Sequence, residues 1–424
     1  MLLRFAVENH RSIYERQELL FAASALKDFK DGLIDCKVVD SKAIVPAVVI
    51  YGANASGKTN FINALLRMSL MILWSQTKGE PTGGVPRRPY LLDPDCSEKP
   101  SCFEIDFVLN DIRYHYGFEA TNEAFTSEWL YEIPKAHRRK LYERKEQDFD
   151  FGRELKGQNQ TIAKLTRSNS LFLSAAAQNG HELLSRLYKY FQDIVFFNEI
   201  SISGFKASSS VKEAGVDNRI INFLELINTG VIGYQKKEMK VPEESRISKR
   251  ELNALFEKFS EGAIKFNSND DEENIEIELA HRGKGGKVVH FDLNAESAGT
   301  KRLLIILSQV FKAIDKGLPI IIDEIDSSLH TYASEAILKL FCSSINNNGA
   351  QLIATTHDTN LMQSPILRRD QLWFAEKNTE GATKIYPLTD IQTRKRDNIE
   401  RGYLQGRYGA VPNDDPVSAL FDFL

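Results

Sequence analysis

The sequence predicts an α/β fold built on a parallel sheet, and three stretches carry that prediction. They are "AIVPAVVIYGANASGKTNFINALL", "GLPIIIDEIDSSLH" and "AQLIATTHDTNLM". Each is an apolar run of strand length that ends in polar, chemistry-bearing residues. Runs without polar alternation suit strands covered on both faces, as in parallel sheets. The C-terminal edge of such a sheet is where ligands bind.

Along the chain, "LLRFAVENHRSIYERQELLFAAS" alternates as two strands joined by a turn. The first apolar run then leads into a glycine loop, where Gly52, Gly57, Lys58 and Thr59 fit the spacing G-x-x-x-x-G-K-[ST]. Glycines let backbone N–H groups close round phosphates, and the following helix adds the positive end of its dipole. Lys58 is placed to reach the outer phosphates and Thr59 to ligate Mg²⁺. Asn54, Ser56 and Asn60 complete the candidate nucleotide-binding set. The residues themselves do not choose between ATP and GTP.

From 88 to 133, "SCFEIDFVL", "IRYHYGFEA" and "FTSEWLYEI" read as a β-meander, and "RRKLYERKEQDFDFGREL" as a polar hairpin or short-strand region. The pattern from "NSLFLSAAAQNGHELLSRLYKYFQDIVFFN" to "ISKRELNALFEKFSEGA" is mainly helical, without the sustained heptads of a long coiled-coil arm. "NSNDDEENIE" reads as an acidic, solvated loop. Lys58 and Asp323 are separated by more chain than one compact nucleotide-binding domain needs. The expected organisation is a discontinuous head, 1–130 and 275–424, with a mainly helical insertion domain over 131–274.

The second apolar run ends in Asp323 and Glu324. At a sheet edge facing a phosphate loop, Asp323 would hold Mg²⁺ through water and Glu324 would position and polarise the attacking water. The third run ends in His357, which a neighbouring strand would bring to the γ-phosphate or that water. Upstream, "KVVHFDL" reads as a strand before "NAESAGTKRLL", a Ser-x-Gly-x-Lys element opening a helix. Ser297 and Gly299 there form an ordinary helix cap on one reading and a phosphate-contacting element on the other.

Phosphate loop, Ser-x-Gly-x-Lys, Asp-Glu and strand-tip histidine, in that order, resemble the ABC-type ATPase heads, the class of transporter motors, SMC proteins and RecF-like ATPases. The resemblance implies a P-loop NTPase of ABC-ATPase head type, with an N-terminal β-rich lobe plus a parallel core sheet, that hydrolyses ATP with Mg²⁺. It also implies that Ser297 and Gly299 cap the γ-phosphate held by a second subunit, so that two chains meet head to tail in a homodimer or a multiple of dimers. "ENHRS" looks like the Asn-Phe-Arg turn of RecF and SMC heads, which places Arg11 near the nucleotide, with His10 standing where the family has Phe.

Within that class, "LLRFAVENHRSI", "YGANASGKTNFINAL", "DEIDSSLH", "TTHDT" and "RGYLQGRYGAVP" resemble the OLD-related group, and in it the RloA-type and AbiL-type ATPase subunits of anti-phage defence. The likeness covers both ends of the chain and is weakest over 135–270. Such subunits work beside a separate effector, often a nuclease. The chain after His357 is too short for a Toprim nuclease domain, and "LWFAEKNTEGATKIYPL" has no D-x-D pair. The expectation is an ATPase switch without its own nuclease. The competing readings are a RecF-like ATPase that clamps DNA and a scaffold that sequesters an effector.

Composition sets the outer bounds. A hydrophobic share of 42% and a charged share of 26% over 424 residues suit a globular chain with a large core. A net charge of −4 supplies no global field for nucleic acid. Nucleic acid stays open as a partner through the tail, where Arg394, Lys395, Arg396, Arg401 and Arg407 interleave with Tyr403 and Tyr408. That cluster reads equally as a solvated helix and arm. Four cysteines without a C-x-x-C pair suit a reducing cytosol, and no run is long enough for a membrane span.

Overall fold

The structure is a computed structural model that describes residues 1–26, 28–134, 137–197, 216–238, 275–394 and 397–411. Basic residues Lys395 and Arg396, most of the acidic loop and the segment 247–263 lie outside the described residues. The chain divides into two compact units. One comprises Met1–Phe196, Ala313–Ile325 and Leu338–Leu424, the other Phe197–Lys312 and Asp326–Ile337.

In the first unit a seven-stranded antiparallel sheet runs β10-β9-β8-β7-β6-β1-β2. Its strands are β1 (Leu2–Glu8), β2 (Gln17–Leu20), β6 (Ser101–Leu109), β7 (Ile112–Ala120), β8 (Phe125–Ile133), β9 (Arg139–Lys145) and β10 (Asp148–Phe151). A short pair, β3 (Ile34–Asp35) and β4 (Ala43–Ile44), stands apart from it. Alternation selects the inner face: Phe5, Val7, Phe103, Ile105, Phe107, Tyr116 and Phe118 are all buried. Three helices follow: α2 (Asn159–Leu165), α3 (Phe172–Gln178) and α4 (Glu182–Asp193), after α1 (Lys58–Trp74) earlier in the chain. The apolar stripe of α4, Leu184, Leu187, Tyr190 and Phe191, is buried, and Tyr190 stacks on Phe107 with centroids 4.4 Å apart.

A buried carboxylate ties helix to sheet. Glu128 on β8 accepts from Tyr116 Oη (3.0 Å), Tyr142 Oη (2.7 Å) and the backbone N–H groups of Phe172 (2.6 Å) and Leu173 (3.0 Å). Arg144 Nη1 lies 3.7 Å from it, with both side chains fully buried. Burial lowers the Arg144 pKa, and the carboxylate beside it acts the other way.

The second sheet of this unit is six-stranded, β11-β15-β16-β5-β17-β18. It contains β5 (Ala47–Tyr51), β11 (Val195–Phe197), β15 (Pro319–Ile322), β16 (Gln351–Thr355), β17 (Leu372–Lys377) and β18 (Thr383–Pro387). Strands β15, β16, β5 and β17 are mutually parallel, and every residue of β5, β15 and β16 is buried. The two sheets are clasped by Gln351, whose Oε1 accepts from Leu2 N (2.5 Å) while its Nε2 donates to Leu2 O (2.8 Å). All three apolar runs that predicted a parallel sheet therefore pair within it.

In the second unit, α5 (Asn218–Leu226) precedes the antiparallel sheet β12 (Val231–Glu238), β13 (Ile275–Arg282) and β14 (Val288–Asp292). Helix α6 (Ala298–Lys316) begins in this unit and ends in the first, as does α7 (Thr331–Phe341). The remaining helix, α8 (Ile399–Leu404), belongs to the first unit.

The sheet crosses the boundary expected at residue 130. Strands β9 and β10 extend it because Leu141 and Tyr142 are buried with its core. The stretch "RRKLYERKEQDFDFGREL" forms β9 and β10, the short strands its pattern suggests, while β12 is a strand within the part expected to be helical. The four cysteines are free thiols, three of them buried. Among the described residues no helix is long and apolar enough to cross a membrane.

Candidate functional site

Because β5, β15 and β16 are parallel and in register, their C-terminal ends share one sheet edge. Tyr51 there leads into the phosphate loop, Ile322 into Asp323 and Glu324, and Thr355 into His357. The loop's glycines answer to close neighbours. A Cβ on Gly52 would run into Ala375 O, and one on Gly57, where φ is 104°, would run into Thr383 Oγ1. Ala55 is also left-handed, at φ 62°. Ser56 and Lys58 are buried, whereas Asn54 and Thr59 are exposed. Lys58 Nζ donates to Gly52 O (2.8 Å) and Ala53 O (3.1 Å), which holds the ammonium against the loop that would carry phosphates.

The acid pair is held by a threonine to which the sequence assigns no role, Thr355 at the end of β16. Thr355 Oγ1 donates to Asp323 Oδ1 (2.5 Å) and accepts from Glu324 N (2.7 Å), while Thr355 O accepts from Ile325 N (2.9 Å). Those bonds hold Glu324 in the left-handed region, φ 51°, which costs a non-glycine residue about 1 kcal/mol. Thr59 Oγ1 lies 3.4 Å from Asp323 Oδ1, a long hydrogen bond. Neighbouring oxygens round an octahedral Mg²⁺ are roughly 3 Å apart, so this pair fits a shared cation with little movement. His357, exposed, follows β16 by two residues, beside Thr356 whose N–H donates to Ile50 O (3.2 Å).

Arg11 is joined to the loop by a relay. Its Nη1 donates to Asn60 Oδ1 (3.2 Å), and Asn60 Nδ2 donates to Ser12 Oγ (2.8 Å). Ser12 Oγ and Thr383 Oγ1 are 2.8 Å apart, and Thr383 Oγ1 donates to Ser56 O (2.9 Å). Thr383 spends its proton on that carbonyl, so Ser12 supplies the proton between the two hydroxyls. Ser12 was legible only as the neighbour of Arg11 in "HRS", and nothing in the sequence points to Thr383.

Positive charge is concentrated here. Burial and the nearby Arg88 and Arg11 lower the Arg67 pKa to about 10. Burial and Arg88 lower that of Arg11. His10, fully buried against Phe103 with neither ring nitrogen hydrogen-bonded, falls to about 3 through burial and the charges of Arg11, Arg67 and Arg88. A histidine whose folded pKa lies below its unfolded 6.5 stabilises the fold above pH 6.5 and loses that contribution as pH falls toward about 3. His10→Phe, which fits the same T-shaped contact, is expected to remove this sensitivity. Between pH 6.5 and 4 the difference amounts to about 3 kcal/mol in favour of the phenylalanine. Urea unfolding of both proteins across that range checks it, and parallel pH profiles would refute the assignment to His10.

Ser297 and Gly299 belong to the second unit. Ser297 Oγ accepts from Thr300 N (3.1 Å), so it caps α6, and Lys301 Nζ donates back to Asn294 O (2.9 Å). Gly299 answers to its own chain: a Cβ there would lie 2.8 Å from Ser328 O. The helix-cap reading of the element is thus directly visible.

The tail's aromatics bear on one of its two readings. Tyr403 and Tyr408 are buried, and Tyr403 stacks on Phe374 at 5.5 Å. They are core aromatics rather than platforms for bases, while Arg394, Arg401 and Arg407 are exposed.

A phosphate loop with an acid pair and a histidine along one edge of a parallel sheet defines a nucleotide-binding domain of the P-loop class. Residues 47–363 match the family described as "AAA domain, putative AbiEii toxin, Type IV TA system", and the chain belongs to that family. Among curated proteins the sequence has no match. The fold is similar to the SmcHead bound to the C-winged helix domain of ScpA, at 16% identity and TM-score 0.45 over 91% of this chain and 97% of that one. It is similar to an Smc head domain with an extended coiled coil, bound to the C-terminal domain of ScpA derived from Pyrococcus furiosus, at 14% identity and TM-score 0.41 over 91% and 96%. A third likeness is the recombination mediator protein RecF-ATPrS in the RecFOR pathway, at 13% identity and TM-score 0.36 over 91% and 98%.

Proposed function

We propose that this chain is an ATP-driven switch: two copies close head to tail round Mg-ATP, and hydrolysis resets the grip on a separate effector protein in anti-phage defence. The observation that carries the reading is the joining of Thr59 to Asp323 and of Asp323 to Thr355, which unites the phosphate loop with the acid pair. Bound ATP–Mg²⁺ would supply the scissile phosphoanhydride and the cation that polarises it. Lys58 and the loop amides would hold the phosphates, Arg11 and Asn60 would add positive charge and hydrogen bonds beside them, and Asp323 with Thr59 would hold the metal. Glu324 would position water, and His357 would contact the γ-phosphate.

Capping α6 uses a lone pair of Ser297 Oγ, and its proton could instead go to a phosphate of a second subunit. The family's description as a putative toxin of a toxin–antitoxin system supports control of a toxic activity, and the resemblance to defence ATPases supports a separate effector. Native mass spectrometry of Glu324→Gln, purified from its source cells with Mg-ATP, tests the reading. The expected species is an ATP-loaded dimer or multiple of dimers, with any extra mass identifying the effector. A nucleotide-bound monomer would leave "ESAGTKR" as a helix cap alone and sink the dimeric switch.

A further inference from the structure

The segment after Asn398 touches two parts of the candidate site that are far apart in sequence. At one end, Glu400 Oε1 accepts from Thr359 Oγ1 (2.9 Å) and its Oε2 from Gln363 Nε2, in the turn that follows His357. At the other, Ala410 O accepts from Ala53 N (2.9 Å), the second residue of the phosphate loop, and from Tyr403 Oη (2.9 Å). Both lone pairs of that carbonyl are therefore used.

Ala410 is itself held firmly. Its N–H donates to Glu376 Oε2 (3.1 Å), which also accepts from Tyr386 Oη (3.0 Å). Tyr386 Oη further approaches Tyr408 O at 2.8 Å. The backbone is left-handed at Gly406, Gly409 and Ala410, with φ of 71°, 71° and 58°. A Cβ on Gly409 would lie 2.5 Å from Glu376 Oε2, and one on Gly402 would lie 2.5 Å from Tyr408 Oη. Left-handed backbone at a non-glycine residue persists only where surrounding contacts over-determine it.

We propose that Asn398–Ala410 is a positioning clamp for the ATPase reaction, with Glu400 holding the loop that carries His357 and the Ala410 carbonyl holding the phosphate loop. One short piece of chain then sets the spacing between the histidine and the phosphates. The residues act through other groups and touch no substrate. This inference rests on the ATPase reading above.

The test separates the two ends in the full-length chain, using a fluorescent ATP analogue for affinity and phosphate release for turnover. Glu400→Ala loosens only the histidine end. It is expected to lower kcat roughly tenfold while leaving nucleotide affinity close to wild type, since small misplacements near reacting groups are costly to rate. Glu376→Ala releases Ala410 and is expected to weaken nucleotide binding roughly tenfold, the effect of about one lost hydrogen bond. Tyr403→Phe removes only one hydroxyl and should weaken binding a few-fold, which keeps the test sound if Glu376→Ala folds poorly. Restoration of kcat by Glu400→Gln, whose Oε1 can still accept from Thr359, would tie the effect to geometry rather than charge.

An active wild type with Glu400→Ala and Tyr403→Phe both unchanged overturns the clamp and leaves the ATPase reading standing. A folded wild type that neither binds nor hydrolyses ATP overturns the ATPase reading, and the clamp with it.

Discussion

Thr355→Val is expected to lower kcat by roughly 100-fold while nucleotide affinity changes little, and Thr355→Ser is expected to restore most of the loss. The hydroxyl does two jobs at once, donating to Asp323 Oδ1 at 2.5 Å and accepting from Glu324 N at 2.7 Å. Valine keeps the volume and β-branching of a fully buried position but supplies neither bond. Asp323 then loses its shortest hydroxyl donor, leaving the longer bond from Thr59, and Glu324 loses a bond that holds its left-handed backbone. Both acids remain, so the loss falls on their placement. Phosphates held by Lys58 and the loop amides depend on neither bond, which is why affinity should survive. Steady-state turnover with analogue binding measures the split. A valine variant that weakens binding as much as it slows turnover would show that Thr355 serves the fold rather than the reaction.

The largest effect on stability is expected at Glu128. Glu128→Gln keeps the shape of the side chain, yet its amide nitrogen cannot accept from the N–H groups and hydroxyls that now converge on the carboxylate. Arg144, buried beside it, is left without its counter-charge. Breaking a buried pair in this way costs about 3–5 kcal/mol, which lowers the melting temperature by roughly 5 °C for a chain of 424 residues. The same carboxylate caps α3, so protection of amides in Phe172–Gln178 should fall with it. Differential scanning calorimetry with hydrogen exchange reads both. Unchanged melting would mean that the tyrosines and Arg144 find other partners without penalty.

These two residues mark where sequence stops being informative. Asp323 and Glu324 were visible because an apolar run of β-branched residues ends on them, and a strand carries its last residues to the sheet edge. The phosphate loop was visible because its glycine spacing is dictated by a backbone wrap that other residues cannot make. In the sequence Thr355 is only part of a strand tip, since a threonine in a strand is ordinary; its role comes from the neighbour that parallel pairing with β15 supplies. Glu128 has the pattern of one polar residue of an alternating strand and is fully buried instead.

The sequence by itself determined the parallel sheet, the phosphate loop and the order of its chemical elements, because strand periodicity and glycine spacing are local properties. Only tertiary structure decided which side chains share the site. It placed Thr383, far downstream, against Gly57, and brought Ala410 to Ala53. It also turned the tail's tyrosines inward and extended the first sheet past residue 130. Those outcomes depend on contacts between distant stretches, and hydrogen bonds between residues hundreds of positions apart leave no period in the chain.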